Sequence, residues 1–451
     1  MAVSSIGVSD GETVTLYAQW EDVNVVTFVN TESGATQIKK VAIGDNIQMY
    51  LNPGWSRSGY NLAGWDIDPA GVTIVYKYSQ TVTPENDITV YTAWKQYYTV
   101  NYDINTDDPN AEGAMTQTHT NVYEGNRLSL LGGNFSRTGY GFVGWSFDPD
   151  AASDIENATI YGPSESFEAP AYTADVVTLY AVWIASSGNL QDFDCSDLDA
   201  GGITALTDTR DGDTYAVAKL ADGECWMIEN LRLDSTADAN LMATDSQGTG
   251  GNFTTLPASS NSWSTSTTSS TDVRVNTNNI NRSLTASPYN SGNSWYIFGN
   301  YYSWAAAIAD DTDYGKHEVA DSNSICPAGW HLPNGGSVVD SDFYQLTFAI
   351  TGLEANYGAG YSGDYQTTVY FALQSFPNNF VRAGYWSGSS ASQRQYDMFY
   401  WTNKSSNSAY SGTSIVPDAY VLYYHNGAKY FYPGTSTSQK YMGASVRCIA
   451  D

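Results

Sequence analysis

Positive charge is scarce in this chain. Nineteen Lys and Arg stand against 48 Asp and Glu over 451 residues, a formal net charge of −29. A nucleic-acid partner needs a basic footprint to displace the counterions on its phosphates, so nucleic acid is excluded as a partner. The same deficit argues against docking on anionic lipid. No apolar run reaches the ~18 residues that a membrane-crossing helix needs, and no secretory leader opens the sequence; no direct membrane insertion is expected. Long amphipathic helical patterns are also missing, which with 40 Gly favours a mainly β chain. Histidine is rare: His119, His317, His331 and His425 are all there are. No Ser/His/Asp or Cys/His set can be named from spacing, so enzymatic activity is not expected.

Cysteine is sparse and confined to the C-terminal part, at Cys195, Cys225, Cys326 and Cys448. None has C-x-x-C spacing, which weakens a zinc reading. An even count in one domain suits two disulfides in an oxidising compartment. Of the three connectivities, Cys195–Cys225 with Cys326–Cys448 is the one expected; four buried free thiols are the alternative. Metal-binding phrases are few. The acidic stretch 310–313 offers hard oxygens that could hold calcium, although a solvated loop explains it as well. No other cofactor is implied.

What is abundant is aromatic: 14% of the chain, with 35 Tyr and 13 Trp, so this is no disordered acidic tail. Much of it recurs. Leu16-Tyr17-Ala18-Gln19-Trp20 returns as Val90-Tyr91-Thr92-Ala93-Trp94 and as Leu179-Tyr180-Ala181-Val182-Trp183. Arg57-Ser58-Gly59-Tyr60, leading to Gly64-Trp65, returns as Arg137-Thr138-Gly139-Tyr140, leading to Gly144-Trp145. The period exceeds that of solenoid units, so beads on a string are expected. Residues 25–29 and 98–102 alternate as half-buried strands should. Gly44 and Gly125 read as hairpin turns. The glycines of the Arg-x-Gly-Tyr-x-x-x-Gly-Trp phrase read as sites of positive φ or of close approach beside a ring. Trp65 and Trp145 are most simply core residues, with sugar stacking as the functional alternative.

These phrases resemble the Listeria–Bacteroides repeat, a small β-grasp-like module of bacterial surface proteins. The resemblance covers 23–95 and 96–184, the second copy with insertions around 103–115 and 147–175. Residues 1–22 read as the C-terminal remnant of a preceding repeat. The resemblance implies a spacer on the cell surface without chemistry of its own. A repeat closing at Trp20 suggests a fragment of a longer polypeptide, extracellular and anchored through a segment upstream.

Residues 185–189 read as a polar linker, after which a different domain, 188–451, begins. Asp211-Gly212 reads as a turn, with 215–220 and 225–231 as its arms. A Ser/Thr/Asn-rich stretch, about 243–287, reads as a surface insertion. Residues 304–309 and 343–350 are the convincing short helices, and 443–449 reads as a closing strand. The ordered phrases Asp208-x-Arg210-Asp211-Gly212-x-x-Tyr215, Trp226-Met227-Ile228-Glu229-Asn230-Leu231, Cys326-Pro327-x-Gly329-Trp330-His331-Leu332-Pro333, Tyr385-Trp386-Ser387 and Ser445-Val446-Arg447-Cys448 resemble the Fibrobacter succinogenes major paralogous domain. That resemblance implies an α+β, C-type-lectin-like head whose final strand returns beside its first. The fold is shared with formylglycine-generating enzymes and with targets of diversity-generating retroelements. The cysteines sit where the family's structural ones do, so an oxidase of the formylglycine-generating type is not expected. One departure stands out: 334–341 is Gly/Ser-rich, and Phe343-Tyr344 takes the place of the family's Glu-Trp.

The stretch 385–441 mixes rings with small polar residues, the chemistry of an antibody paratope. Tyr396, Tyr400, Trp401, Tyr410, Tyr420, Tyr423, Tyr424, His425, Tyr430 and Tyr432 are the candidate ligand contacts. Strand alternation would send about half of them inward. The expected function is that of a surface adhesin, its head binding a glycan or protein on another cell or matrix. The alternatives are an accessory or enzyme of polysaccharide degradation, and a non-binding structural cap.

Overall fold

The computed structural model describes residues 13–451 apart from 14, 16, 19, 52–53, 110, 115–117, 131–133, 234–274, 277–295, 310–323, 355–360, 363, 388–390, 407–417, 426–429 and 441. The chain is mainly β and folds as two compact units. One holds residues 1–98 with 121–125 and 170–175; the other holds 99–120, 126–169 and 176–451. No helix among the described residues is long and apolar enough to cross a membrane.

In the first unit, β1 (Val23–Val29), β2 (Thr36–Ala42), β3 (Tyr60–Asp66), β4 (Tyr76–Lys77) and β5 (Ile88–Gln96) form one sheet in the order β2-β1-β5-β3-β4. β1 alternates buried and half-buried residues along most of its length, as its apolar pattern requires. It runs parallel to β5, while β2 and β3 add antiparallel. Val26, Phe28, Met49, Leu51, Trp65 and Val90 form the core beneath. Trp65 meets Phe28 edge-on at 4.7 Å, and its Nε1 donates to the Met49 carbonyl at 2.7 Å. Gly44 does sit in a turn, at φ +90°, but the turn is no hairpin: β2 leads into Ile47–Gln48, which pairs with Thr81–Val82. Trp20 is 93% exposed, and none of the described residues before Val23 joins a strand.

The second repeat rebuilds this arrangement with β6 (Tyr98–Asp103), β7 (His119–Val122), β8 (Tyr140–Ser146) and β9 (Val176–Asn189). β6 runs parallel to β9, and β8 pairs antiparallel with it. Tyr102 and Trp145 repeat the Phe28–Trp65 contact at 4.8 Å. The two copies explain their shared phrase. Gly59 and Gly139 take φ +79° and +77°. Arg57 lies over Tyr60, and Arg137 over Tyr140, both at 3.5 Å from the ring centre. A Cβ on Gly64 would fall on the Tyr76 carbonyl oxygen, and one on Gly144 on that of Tyr161. Trp65 and Trp145 are fully buried, which removes the sugar-stacking alternative.

The expected linker is a strand. β9 continues through residues 185–189 and pairs there, parallel, with β10 (Ile203–Thr207). The sheet then passes to β11 (Thr214–Lys219) and β12 (Cys225–Met227). Beyond them lie β17 (Ile449–Ala450) and β13 (Trp330–His331), giving the order β7-β6-β9-β10-β11-β12-β17-β13 with β8 also on β9. The Asp211-Gly212 turn joins β10 to β11, and a separate turn at Asp222-Gly223 joins β11 to β12. The final strand is short and lies between β12 and β13 rather than beside the first strand of the head. Residues 443–445 contribute only isolated bridges.

Among the described residues three α-helices pack in this unit: α1 (Trp304–Ala307), α2 (Asp342–Thr351) and α3 (Asp364–Gln374), the last not foreseen. Ser341 caps α2, its Oγ accepting from the Tyr344 N–H, and Gly352 ends it at φ +66°. Phe343 is fully buried, 5.6 Å from Trp226 and 6.0 Å from Phe380, so it fills the core. A second sheet is built from β14 (Asp397–Ser406), β15 (Asp418–His425) and β16 (Tyr430–Gln439), with Tyr361–Ser362 at its edge. It lies between two cores. One holds Tyr215, Trp304, Trp330, Phe399, Trp401 and the cysteines Cys225, Cys326 and Cys448. The other holds Trp226, Phe343, Phe380, Tyr400 and Tyr424, and also takes in Val143, Ile160 and Val182 of the second repeat. The disulfides are Cys195–Cys225 and Cys326–Cys448, the expected pairing.

Buried polar groups cross the same boundary. Glu229 Oε1 accepts from Arg232 Nη1 at 3.0 Å; its Oε2 accepts from the N–H of Ala216 at 2.7 Å and from that of Phe142, in the repeat, at 3.3 Å. Burial pushes this carboxyl up, and Arg232 pulls it back. Arg447 donates to Asn230 Oδ1 and to the carbonyls of Asn378 and Asn379, while Asn379 Nδ2 donates to the Val143 carbonyl at 2.6 Å. Asp208 and Arg210 form a buried pair, and Arg210 also donates to the Ile325 carbonyl. The charged residues of the head's phrases are thus structural.

Two outcomes are expected. Glu229→Ala leaves Arg232 buried beside an empty place and should cost ~3–5 kcal/mol in urea denaturation. Lys440 is fully buried, its Nζ 4.1 Å from the Trp304 ring centre, and burial lowers its pKa to about 7 against a pull upward from Asp418. The unfolded chain holds that proton to a pH of about 10. Stability should therefore rise with pH between about 7 and about 10, and Lys440→Met should remove that part of the slope.

Candidate functional site

The register of the β14–β15–β16 sheet decides what each candidate ring can do. Asp397 faces His425 and Phe399 faces Tyr423 across β14 and β15; Tyr423 faces Tyr432 and His425 faces Tyr430 across β15 and β16. At this end of the sheet four of the candidates come together. Tyr423 and Tyr432 lie nearly parallel, 6.5 Å apart at 7°. His425 stacks on Tyr423 at 6.1 Å, and Tyr430 lies 6.2 Å from Tyr432. Tyr423, His425 and Tyr432 are half-buried, and Tyr430 is 48% exposed. Phe399 packs beneath Tyr423 at 5.4 Å and carries Tyr385 on its other side at 5.4 Å.

His425 is held by a carboxylate. Its Nδ1 lies 2.9 and 3.1 Å from the two oxygens of Asp397, whose side chain is buried. A carboxylate only accepts, so Nδ1 carries the proton, and the second ring nitrogen remains for another partner. Burial, followed by the nearby Asp397 charge, pushes the Tyr423 hydroxyl up to about 12. At neutral pH it stays protonated and can donate. The cluster therefore offers aromatic surface with hydroxyl and imidazole groups on it, a surface suited to recognition. An Asp–His pair is also the orienting half of a hydrolytic triad. His425 has no hydroxyl nucleophile within hydrogen-bond distance among the described residues, and both disulfides consume the cysteines.

Three candidates are corrected to core. Trp401 is fully buried, and its Nε1 donates to the Tyr302 carbonyl at 2.6 Å. Tyr400 is fully buried, its hydroxyl bonded to both the N–H and the carbonyl of Val381. Tyr424 stacks on Tyr370 at 4.1 Å in the second core. Both faces of β14 are covered over its first part, so residues 397–402 are all buried in succession. Tyr420 is half-buried and faces Thr437, away from the cluster along β15. Tyr396, 58% exposed, lies in the turn before β14. Tyr410 lies outside the described residues.

Asp397, Phe399 and Tyr385 belong to the cluster and are not among the ligand contacts expected from sequence, where Tyr385 figures only in the Tyr385-Trp386-Ser387 phrase. The alternation Asp397-x-Phe399 ahead of the tyrosine run was the available signal, but it needs the strand register to be read.

The other candidates are quickly placed. His331 is half-buried, its Nδ1 2.6 Å from Asp451 Oδ1. His119 Nε2 lies 2.8 Å from the Tyr102 hydroxyl. No group of three or more His, Cys, Asp or Glu side chains among the described residues is placed to hold a metal ion. The calcium candidate 310–313, His317 and all of the Ser/Thr/Asn-rich insertion except Val275–Asn276 lie outside the described residues.

Two segments, 25–93 and 98–182, match the family model of the Listeria-Bacteroides repeat domain. They correspond to the two repeats whose strands, glycines and arginine–tyrosine pairs superpose in role. Over 134 residues the chain is 31% identical to a protein of Evansella cellulosilytica whose name describes it as a Gly-rich membrane protein. The match covers 28% of this chain and 14% of that protein, so the chain spans only a small part of its relative. No solved structure matches the chain.

The burial pattern separates two kinds of ring by stability. Trp401→Ala should cost ~3–5 kcal/mol. Tyr430→Ala should cost about 0.5 kcal/mol or less. Urea denaturation of the two variants beside the parent chain measures both.

Proposed function

We propose that this chain is an extracellular, surface-anchored bacterial protein in which β-grasp-like repeats hold out an α+β, C-type-lectin-like head. The head binds a glycan or a protein through the tyrosine-rich end of its second sheet and performs no covalent chemistry. The observation that carries this reading is the Tyr423–His425–Tyr430–Tyr432 cluster. These rings stack on one another at a sheet end and remain partly open to solvent, while Tyr400, Trp401 and Tyr424 on the same strands are sealed in the core. Rigid rings with polar tips lose little conformational freedom on binding, which makes such a cluster an efficient recognition surface.

The repeat-family matches and the membrane-protein relative support a surface location. The net charge of −29 suits a chain that stays dispersed outside the cell.

The test is an array of glycans and cell-surface proteins probed with the full chain, with and without calcium. We expect specific binding that Tyr430→Ala and Tyr432→Ala each weaken about tenfold or more without lowering the melting temperature appreciably. A blank array, or binding indifferent to both substitutions, would leave the head as a structural cap. Binding that requires calcium would move the site toward an ion-dependent loop.

A further inference from the structure

We propose that the first compact unit carries a second binding site, a pocket for an uncharged pyranose sugar where the last strand of the first repeat meets the Arg57–Tyr60 turn and residue 124. A cavity of about 380 Å³ opens there within the first unit, its wall including Arg57, Tyr60, Trp94, Lys95, Gln96 and Glu124. Small-molecule sites run from ~300 to 1,000 Å³, so this one has room for roughly one or two sugar rings.

The polar groups of the wall come as donor–acceptor pairs. Lys95 Nζ and Glu124 Oε2 stand 2.8 Å apart, with the carboxylate 45% exposed. Neighbouring hydroxyls on a sugar ring can accept from one and donate to the other. Lys95 also donates to the Val72 carbonyl at 3.3 Å, which helps to hold the ammonium at the wall. Gln96 adds an amide, its Oε1 accepting from the Tyr60 hydroxyl at 3.2 Å. Arg57 lies flat on Tyr60 and pairs with Glu32 at 2.8 Å. Each cation has its own carboxylate, so the local charge is nearly balanced. That favours a neutral polyol over an acidic sugar.

Trp94 supplies aromatic surface to the wall. Its Nε1 is buried without an acceptor among the described residues. The same nitrogen of Trp183, at the matching position of the second repeat, donates to the Ile104 carbonyl at 2.8 Å.

The second repeat also shows which of these residues are architecture. It keeps the arginine on the tyrosine and the tryptophan. Where the first repeat has Lys95 and Gln96, it has Ile184 and Ala185. Ile184 packs against the shared core, and a Cβ on nearby Gly141 would meet the Ala216 nitrogen at 2.7 Å. One copy of this corner is apolar and closed; the other is polar and open.

The experiment titrates the full chain with the methyl glycosides of glucose, galactose, mannose and N-acetylglucosamine, and with glucuronate, by calorimetry and ligand-observed NMR. The double variant K95I/Q96A converts the corner to its counterpart in the second repeat, and E124Q removes only the acceptor charge. At least one neutral glycoside should bind, tenfold or more weaker to K95I/Q96A and weaker to E124Q, but unchanged for Y432A in the head. If K95I/Q96A lowers the melting temperature, E124Q decides. Failure of every neutral glycoside, binding that survives these substitutions, or binding of glucuronate alone would each overturn the proposal.

Discussion

The second unit depends on one uninterrupted strand. β9 completes the sheet of the second repeat with its first half and begins the sheet of the head with its second. Cutting it at the junction would leave unpaired backbone on both sides, and buried backbone groups without partners are costly. Glu229 makes the same point through a side chain: one carboxylate oxygen serves a backbone N–H from each side of the junction. A repeat and a head that share a strand, a core and a buried carboxylate are one folding unit, whatever their separate origins.

Within that unit, aromatic residues are sorted by register rather than by type. Each of β14 to β16 carries tyrosine, yet the sheet is packed on both faces over most of its length. Where the first core runs out, near Tyr423 and His425, rings reach solvent. Asp397 lies buried at that place and fixes the imidazole. The open ring cluster is thus a by-product of where the packing stops, with its imidazole fixed by one carboxylate.

Much of the architecture could be read in advance because it is written in steric requirements. Gly64 and Gly144 stand where a side chain would strike a carbonyl, and Gly59 and Gly139 where φ is positive. Their spacing beside Tyr and Trp conveyed both facts. The junction was hidden for the opposite reason. Residues 185–189 are small and polar, and nothing in their side chains distinguishes a linker from an edge-to-edge strand. What makes them a strand is backbone pairing with β10, with Ser186 and Thr207 hydroxyls 2.7 Å apart. α3 was missed because Thr367-Thr368-Val369-Tyr370-Phe371 favours a strand by propensity. Its buried positions Gln366, Val369, Tyr370 and Leu373 keep helical spacing, and tertiary packing prevailed. Trp401 and Tyr400 were misplaced because a strand covered on both faces has no alternation to read.

The parallel pairing of β6 with β9 has a mechanical consequence. Tension applied from the repeat's beginning to the head enters at the start of β6 and leaves at the end of β9. For two parallel neighbours that geometry is shear, with the load falling on all the connecting hydrogen bonds at once instead of peeling them in sequence. β1 and β5 of the first repeat have the same arrangement. Each repeat is therefore built as a clamp along the line of pull, and resistance to unfolding by force follows from strand direction alone.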